Sequence, residues 1–236
     1  TTSGSNLVQI NDKTGNGYHC SLSSVGSNSP TYSTVINGRN TITFSANGKF
    51  LTCSGPGTLA AFTAMFIVRV NGAPSGVVNN FFSTDGSWVT GSTHAGVRNT
   101  MYPQYVVNSG SDYIASSALS TGTLYLITYI DTNINSTMYI NGTSAGTTTN
   151  FSSITSRLLS TLNIFGWSGD NTRTVNGDLG EFLLFNNVLT STARASAENY
   201  LMYKWGITGT AYSTPINTNT SPYLSSISSF PRNLMV

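Results

Sequence analysis

Charged side chains are scarce in this sequence. Only 8 % of its 236 residues are Asp, Glu, Lys or Arg, against a typical share of about 25 %. The ten basic and eight acidic residues stand singly along the chain, without a Lys/Arg cluster that could neutralise a nucleic-acid backbone. We therefore expect that nucleic acid is not a partner of this protein.

Long apolar runs are missing as well. No stretch approaches the ~20 apolar residues that a membrane-spanning helix needs, so we expect no membrane span. The opening residues, Thr1 to Asn6, have neither the basic nor the apolar segment of a signal peptide. The expectation is that a signal peptide has been removed, or that the protein leaves its cell another way, for example inside a virus particle.

Cysteine is nearly absent. Cys20 and Cys53 are too few for a disulfide scaffold or a metal knuckle. If their strands are neighbours, a bridge between them would contribute roughly 3 kcal/mol by restricting the unfolded chain. Two buried free thiols are the alternative, and the sequence leaves both open.

The residues that are abundant favour β-structure. Ser, Thr, Asn and 23 Gly supply the polarity, while 39 % of the residues are hydrophobic and 11 % aromatic. Apolar residues alternate at period two in residues 61–70, where Phe62 and Phe66 share one face and Met65 and Ile67 the other. Residues 124–130 are apolar on both faces, which is typical of a central strand covered on both sides.

Further strands are predicted at regular spacing, separated by Gly, Asn and Ser turns. They lie near residues 41–44, 50–53, 79–83, 95–98, 102–107, 112–115, 138–140, 162–165 and 178–185. This arrangement predicts an all-β, two-sheet antiparallel jelly-roll sandwich.

One segment has a helical period instead. Thr190 is a suitable N-cap, Ala197 and Leu201 fall on one face, and Gly206 follows Trp205 as a stop. We therefore predict one short helix near residues 190–204, with Leu201 and Trp205 buried against the sandwich.

The chain changes character after Ile207. Residues 1–207 form the predicted sandwich, and residues 208–236 an extended Ser/Thr/Asn-rich arm with almost no charge. Near its end, Phe230, Leu234 and Met235 could contribute roughly 1.5–3 kcal/mol each if fully buried. We expect these three residues to serve assembly, by packing against a neighbouring molecule.

Residues 177–206, GDLGEFLLFNNVLTSTARASAENYLMYKWG, resemble the closing signature of the laminin-G-like branch of the concanavalin A-like lectin/glucanase superfamily. The resemblance rests on the Gly-rich turn, the strand with one acidic residue, the capped helix and the terminal Tyr-Leu…Lys-Trp-Gly. Upstream, Asp12 to Gly17, Thr43-Phe44…Phe50-Leu51 and Met138 to Gly142 resemble family motifs in consistent order. The resemblance covers roughly residues 8 to 207 and implies a jelly roll whose concave sheet often faces a ligand.

The resemblance does not extend to catalysis. The superfamily's glucanases place alternating carboxylates, Glu-x-Asp-x-Glu, on one strand face, and retaining hydrolysis needs two carboxyls about 5 Å apart. Here Glu181 is followed on its face by Leu183 and Phe185, and Asp178, three residues away, is expected on the opposite face or in the turn. No other catalytic motif is present, so we predict a protein that is not an enzyme and has no catalytic residues.

Calcium is the one candidate cofactor that the resemblance implies, and we expect that the protein does not require a cofactor. Laminin-G-like domains often hold one Ca²⁺ on a loop edge. Asp12, Asp85, Asp131 and Asp170 stand in turn-like settings and could supply hard oxygen ligands. The alternative, which we favour for each of them, is an Asp that caps its own turn.

Aromatic residues in polar loops mark a candidate glycan site. Trp88 follows Asp85-Gly86-Ser87, and Trp167 precedes Asp170, Asn171 and Arg173 in a Gly/Ser-rich loop. Sugars stack on such rings while Asp and Asn accept hydrogen bonds from their hydroxyls. The alternative is that each Trp packs under its loop at the end of the sandwich.

These features favour a non-catalytic surface recognition or assembly module. We expect a decoration, fibre or adhesin component of a virion or extracellular assembly, with other subunits, including copies of itself, as partners. A lectin-like domain with a glycan partner is the alternative, and a polysaccharide-degrading enzyme ranks below both. The expected location is extracellular or the virion surface.

Overall fold

The computed structural model of the protein describes residues 2–3, 6–22, 28–45, 49–73, 78–84, 89–107, 111–149, 156–209 and 232–235. These residues form two antiparallel sheets packed face to face and one α-helix, which confirms the predicted sandwich. No helix in these segments is both long and apolar enough to cross a membrane.

Ten strands build one sheet and eight the other. The ten-stranded sheet contains β1 (Thr2–Ser3), β2 (Asn6–Leu7), β5 (Thr31–Ile36), β6 (Arg39–Phe44), β8 (Phe62–Val70), β13 (Leu124–Asp131), β14 (Asn135–Ile140), β15 (Thr143–Thr149), β17 (Gly177–Phe185) and β18 (Arg232–Met235). Its order is β1-β2-β5-β6-β17-β8-β13-β14-β15, and β18 pairs with β17. The eight-stranded sheet contains β3 (Gln9–Ile10), β4 (Cys20–Ser21), β7 (Leu51–Leu59), β9 (Val78–Thr84), β10 (Thr93–Arg98), β11 (Pro103–Val107), β12 (Ser111–Ile114) and β16 (Arg157–Ile164). Its order is β12-β11-β10-β9-β16-β7-β4-β3.

The core between the sheets follows the period-two pattern of the sequence. In β8, Phe62 and Phe66 point into the core, while Met65 and Ile67 lie on the outer face, as predicted. The rings of Phe66 and Phe182 stack with their centroids 4.6 Å apart. The central strands are therefore buried on both sides, by the opposite sheet and by the helix.

The helix, α1 (Ser191–Trp205), begins and ends where the sequence predicts. The Thr190 side chain accepts a hydrogen bond from the Ala193 N–H, and Gly206 ends the helix in the left-handed conformation, with φ 64°. Leu201 and Trp205 are 1 % and 3 % exposed, which confirms their predicted burial. The helix packs on an apolar patch of the ten-stranded sheet formed by Met65, Ile67, Leu126, Leu183 and Phe185.

A disulfide joins the two cysteines. Cys20 in β4 lies directly opposite Cys53 in β7, with the two Cα atoms 4.0 Å apart. Of the two alternatives that the sequence leaves open, the structure therefore shows the bridge. The bond ties the short strands β3 and β4 to the long strand β7.

The last described residues return to the sandwich. In β18, Leu234 and Met235 pair with Leu184 and Leu183 of β17. The first half of β17 pairs with β6, so β18 takes the place beside β17 where β6 has ended. Residues 210–231 lie outside the described part of the chain, and the predicted domain boundary and assembly role stay predictions.

Candidate functional site

A row of polar residues crosses the outer face of the eight-stranded sheet. Strand register aligns one residue from each strand, in the order Gln9, Ser21, Thr52, Asn163, Ser83, His94, Val106 and Asp112. All of them except Val106 are polar. The helix instead covers an apolar patch on the outer face of the other sheet, so the central parts of the two outer faces have opposite chemistry.

Hydrogen bonds hold the centre of this polar row. Thr52 Oγ1 donates to Asn163 Oδ1 at 3.1 Å, and Asn163 Nδ2 lies 3.2 Å from Ser168 Oγ. Ser83 Oγ donates to the Gly166 carbonyl at 2.8 Å. Asn163 and Ser83 are buried, whereas Ser21 is exposed and Thr52 half-buried. One half of the row therefore faces solvent, while a loop covers the other half.

That loop comprises residues 166–173. Immediately before the loop, the Phe165 N–H donates to the Phe81 carbonyl. Immediately after the loop, Thr174 forms an isolated β-bridge with Asn80. Inside the loop, Asp170 caps a short 3₁₀ helix, Asn171–Arg173, by accepting from the Thr172 N–H at 2.9 Å and hydroxyl at 2.7 Å. These hydrogen bonds from Thr172 lower the pKa of the Asp170 carboxyl.

Trp167 packs under this loop. Its side chain is 6 % exposed, and its ring meets the His94 ring edge-to-face at 5.2 Å between centroids. The Arg173 guanidinium lies 4.8 Å from the Trp167 ring centroid. Burial, and then the Arg173 charge, lower the pKa of His94 to about 4. Of the two alternatives raised by the sequence, this burial favours packing over an open stacking surface.

Two buried amides flank a glycine next to the polar row. Asn80 and Gln104 both pair with Gly96, which separates their side chains on the outer face. Within the described part of the chain, both amide atoms of Asn80 and Gln104 Oε1 have no hydrogen-bond partner. A Cβ at Gly96 would lie 2.1 Å from the Asn79 carbonyl oxygen, so the close approach of β9 requires glycine. The predictions from the sequence did not include this pair, because it depends on the register of β9, β10 and β11.

Three of the four candidate metal ligands are described, and each is held by hydrogen bonds or an ion pair with its own neighbours. Asp12 accepts from the Thr14 N–H at 2.8 Å and the Tyr18 N–H at 3.2 Å, which is a turn-capping role. Asp131 is buried in an ion pair, and Asp170 caps its own turn as described above. The structure does not describe Asp85, and the residues it does describe contain no group of three His, Cys, Asp or Glu able to hold a metal ion.

The other candidate residues lie outside the described part of the chain, in whole or in part. Trp88 and Phe230 are not described. For Asn171, Leu234 and Met235 the structure describes the backbone but not the side chain. Their predicted roles in ligand binding and assembly stay predictions.

Comparison with known families identifies the sandwich. The Laminin_G_3 family model, of the concanavalin A-like lectin/glucanases superfamily, matches residues 44–193, which is more than half of the chain. The chain belongs to this superfamily. A comparison with the curated proteins found no match.

Solved structures of the same fold are remote in sequence. The binding domain of Paraclostridial Mosquitocidal Protein 1 is 14 % identical with a TM-score of 0.62, over 82 % of this chain and 50 % of that one. A structure of botulinum neurotoxin type C, whose cell entry is dependent upon interaction with two ganglioside molecules, is 14 % identical with a TM-score of 0.57, over 84 % of this chain and 51 % of that one. The heptameric SAP-like pentraxin of Limulus polyphemus is 15 % identical with a TM-score of 0.54, over 72 % and 84 %. This chain thus spans about half the length of the two toxin chains.

One expectation about the superfamily's carboxylates was wrong. Asp178 and Glu181 lie on the same outer face of β17, because a bulge at Gly180 shifts the register between Leu179 and Glu181. Asp178 stands opposite Arg69 and Glu181 opposite Ile67, two outward residues of β8. In a regular strand, two residues that are three positions apart point to opposite faces, and the bulge interrupts this alternation.

Both carboxylates bond to neighbours within the fold. Asp178 is buried and bonds to Arg69 Nε at 2.8 Å and to Asn71 Nδ2 at 2.7 Å. Glu181 accepts from Lys204 Nζ at 2.8 Å and from Trp205 Nε1 at 3.0 Å. The two acids therefore anchor basic and polar neighbours within the fold.

Proposed function

We propose that this chain is a recognition module that binds a glycan across the outer face of its eight-stranded sheet. The polar row carries this proposal. Short hydroxyl and amide side chains in register across the strands offer donors and acceptors at regular spacing, as a saccharide chain requires. Its open half, Gln9, Ser21 and Thr52, provides the surface, and the exposed Thr172 and half-exposed Arg173 of the loop provide its edge.

Several findings support a non-catalytic role at this surface. Eight acidic residues occur in the chain, and the side chains of six are described. Each of the six is held by hydrogen bonds or an ion pair with neighbours of its own chain, namely Asp12, Asp131, Asp170, Asp178, Glu181 and Glu198. A glycosidase needs two carboxyls that can reach the substrate. Binding without hydrolysis fits this arrangement best.

An extracellular location fits the same proposal. The Cys20–Cys53 disulfide is typical of proteins that fold or act under oxidising conditions. Cell entry of botulinum neurotoxin type C, which has the same fold, depends on interaction with two ganglioside molecules, and gangliosides carry glycans. The pentraxin is heptameric. By analogy with them, we propose a secreted or surface-exposed protein.

A glycan array probed with the full chain tests the proposal. We expect selective binding to a small set of neutral or acidic oligosaccharides. Thr52→Val removes one hydroxyl of the polar row at constant volume and should weaken binding about tenfold. Thr147→Val, on the exposed part of the ten-stranded sheet, is the matched control and should bind as the unmodified chain does. Equal affinity of both variants, or no binding to any glycan, would contradict the proposal.

A second proposal places this module in a surface assembly, such as a virion decoration, a fibre or an adhesin. The observation that favours it is β18, whose backbone completes the ten-stranded sheet beside β17. The same strand can pair with β17 of a neighbouring copy, because the hydrogen-bonding groups are identical. Analytical ultracentrifugation of the full chain tests this: a discrete oligomer supports it, and a monomer at all concentrations contradicts it.

A further inference from the structure

A groove of about 430 Å³ opens beside the C-terminal end of α1, on the ten-stranded sheet. Its polar lining consists of Lys13, Tyr32, Arg39, Asn40, Glu181 and Lys204. The polar row lies on the outer face of the other sheet, so this groove is separate from the glycan site proposed above.

The floor of the groove is held rigidly. Glu181 Oε2 receives hydrogen bonds from both Lys204 Nζ and Trp205 Nε1. The β5–β6 hairpin caps the helix end, since Asn37 Nδ2 donates to the Trp205 carbonyl and Arg39 Nε to the Lys204 carbonyl, both at 2.6 Å. A ligand entering the groove therefore meets groups that are already in place.

Charge is concentrated here. Lys13, Arg39 and Lys204 supply three positive charges, Glu181 supplies one negative charge, and the resulting +2 equals the formal net charge of the whole chain. The remainder of the chain is thus electrically balanced. Among the described residues, Lys13 Nζ and the two Nη atoms of Arg39 have no hydrogen-bond partner. The groove consequently presents open cationic donors to an anion.

We propose that this groove binds the carboxylate of an acidic sugar, such as a hexuronate unit of a polysaccharide. The planar fork of Arg39 matches the two oxygens of a carboxylate, and the Lys13 ammonium adds a second contact. Tyr32, which is 47 % exposed, offers a ring face for the sugar, and Asn40 offers an amide for its hydroxyls. This proposal depends on the proposed glycan function in one respect, namely that the molecule carrying the carboxylate is a sugar.

Isothermal titration calorimetry of the full chain with trigalacturonate tests this site, and the methyl ester of the same trisaccharide is the neutral control ligand. We expect the acid to bind and the ester to bind at least about tenfold more weakly. Arg39→Gln and Lys13→Gln should each weaken binding of the acid about tenfold. Lys49→Gln removes an equal charge outside the groove, and its affinity for the acid should stay within about twofold of that of the unmodified chain. Lys13 is exposed at a turn, so its variant tests the site even if Arg39→Gln impairs folding.

Four results would overturn the inference: no binding of trigalacturonate, equal binding of its ester, an equal loss in Lys49→Gln, or full displacement by an equal concentration of inorganic sulfate. The last would show a simple anion site without sugar recognition. The proposed function can hold even if this inference fails. It is supported independently if a neutral glycan binds the full chain and the Arg39→Gln variant equally but does not bind the Thr52→Val variant. Loss of trigalacturonate binding in Thr52→Val alone would assign the acid to the polar row instead.

Discussion

Asp131 and Arg157 form an ion pair in which both side chains are fully buried. Arg157 Nε donates to Asp131 Oδ2 at 2.7 Å and Nη2 to Oδ1 at 3.1 Å, so the contact is bidentate. Tyr105 adds a hydroxyl donor to Asp131 Oδ2 at 2.5 Å. Burial, and then the Asp131 charge, raise the pKa of Tyr105, which therefore remains a donor across the physiological range.

Removing one member of this pair should be costly. Asp131→Asn leaves the Arg157 charge buried without its partner, and we expect a loss of about 3–5 kcal/mol in the free energy of unfolding. Urea denaturation gives the measurement. Asp170→Asn, in the half-exposed pair with Arg173, is the matched control and should cost under about 1 kcal/mol. Similar losses in the two variants would mean that the buried pair is not the anchor that its geometry indicates.

The helix should depend strongly on its last aromatic residue. Trp205→Ala removes a side chain that is 3 % exposed and donates to Glu181, so we expect a loss of about 3–5 kcal/mol in unfolding free energy. Tyr203→Ala, on the same helix but 44 % exposed, should cost under about 1 kcal/mol. A loss below about 1 kcal/mol for Trp205→Ala would contradict the docking of the helix.

Acid should destabilise the fold through His94. The folded pKa of about 4 lies below the ordinary value of 6.5, so the fold favours the neutral imidazole. This contribution is complete above about pH 6.5 and is lost as the pH falls to about 4, by about 3 kcal/mol. Denaturation at several pH values should show a flatter pH dependence for His94→Gln. Parallel curves for both proteins would contradict the prediction.

The arm should matter for assembly more than for folding. A chain that ends at Ile207 loses β18 but keeps the disulfide, the helix and the core, so we expect it to fold. We also expect it to form the oligomer proposed above less readily than the full chain does. Circular dichroism and analytical ultracentrifugation measure the two properties. If the shortened chain assembles normally and the arm is cleaved by protease in the native assembly, the arm is a linker.

Local patterns predicted much of this fold. The alternation in β8 fixes which side chains face the core, because neighbouring side chains in a strand point to opposite faces. The helix could be located from Thr190, its apolar spacing and Gly206 without knowledge of its neighbours. The burial of Trp205 followed from the resemblance to the family signature.

Features that depend on distant partners could not be predicted in this way. The bulge at Gly180 lies where Trp205 packs over β17, and a Cβ on this glycine would come within 2.7 Å of the indole. The polar row needs the register of all eight strands, which no single segment contains. Trp167 lies in a polar loop, and its burial depends on His94 from a strand far away in the sequence.

The opposite chemistry of the two outer faces determines where this molecule can change. Helix packing fixes the outer face of the ten-stranded sheet, so a substitution at Ile67 or Leu183 alters stability first. The helix does not cover Ser21 and Gln9 in the open half of the polar row, so substitutions there should act first on the glycan binding proposed above. The proposed glycan surface can therefore be redesigned without disturbing the contacts that hold the helix to the fold.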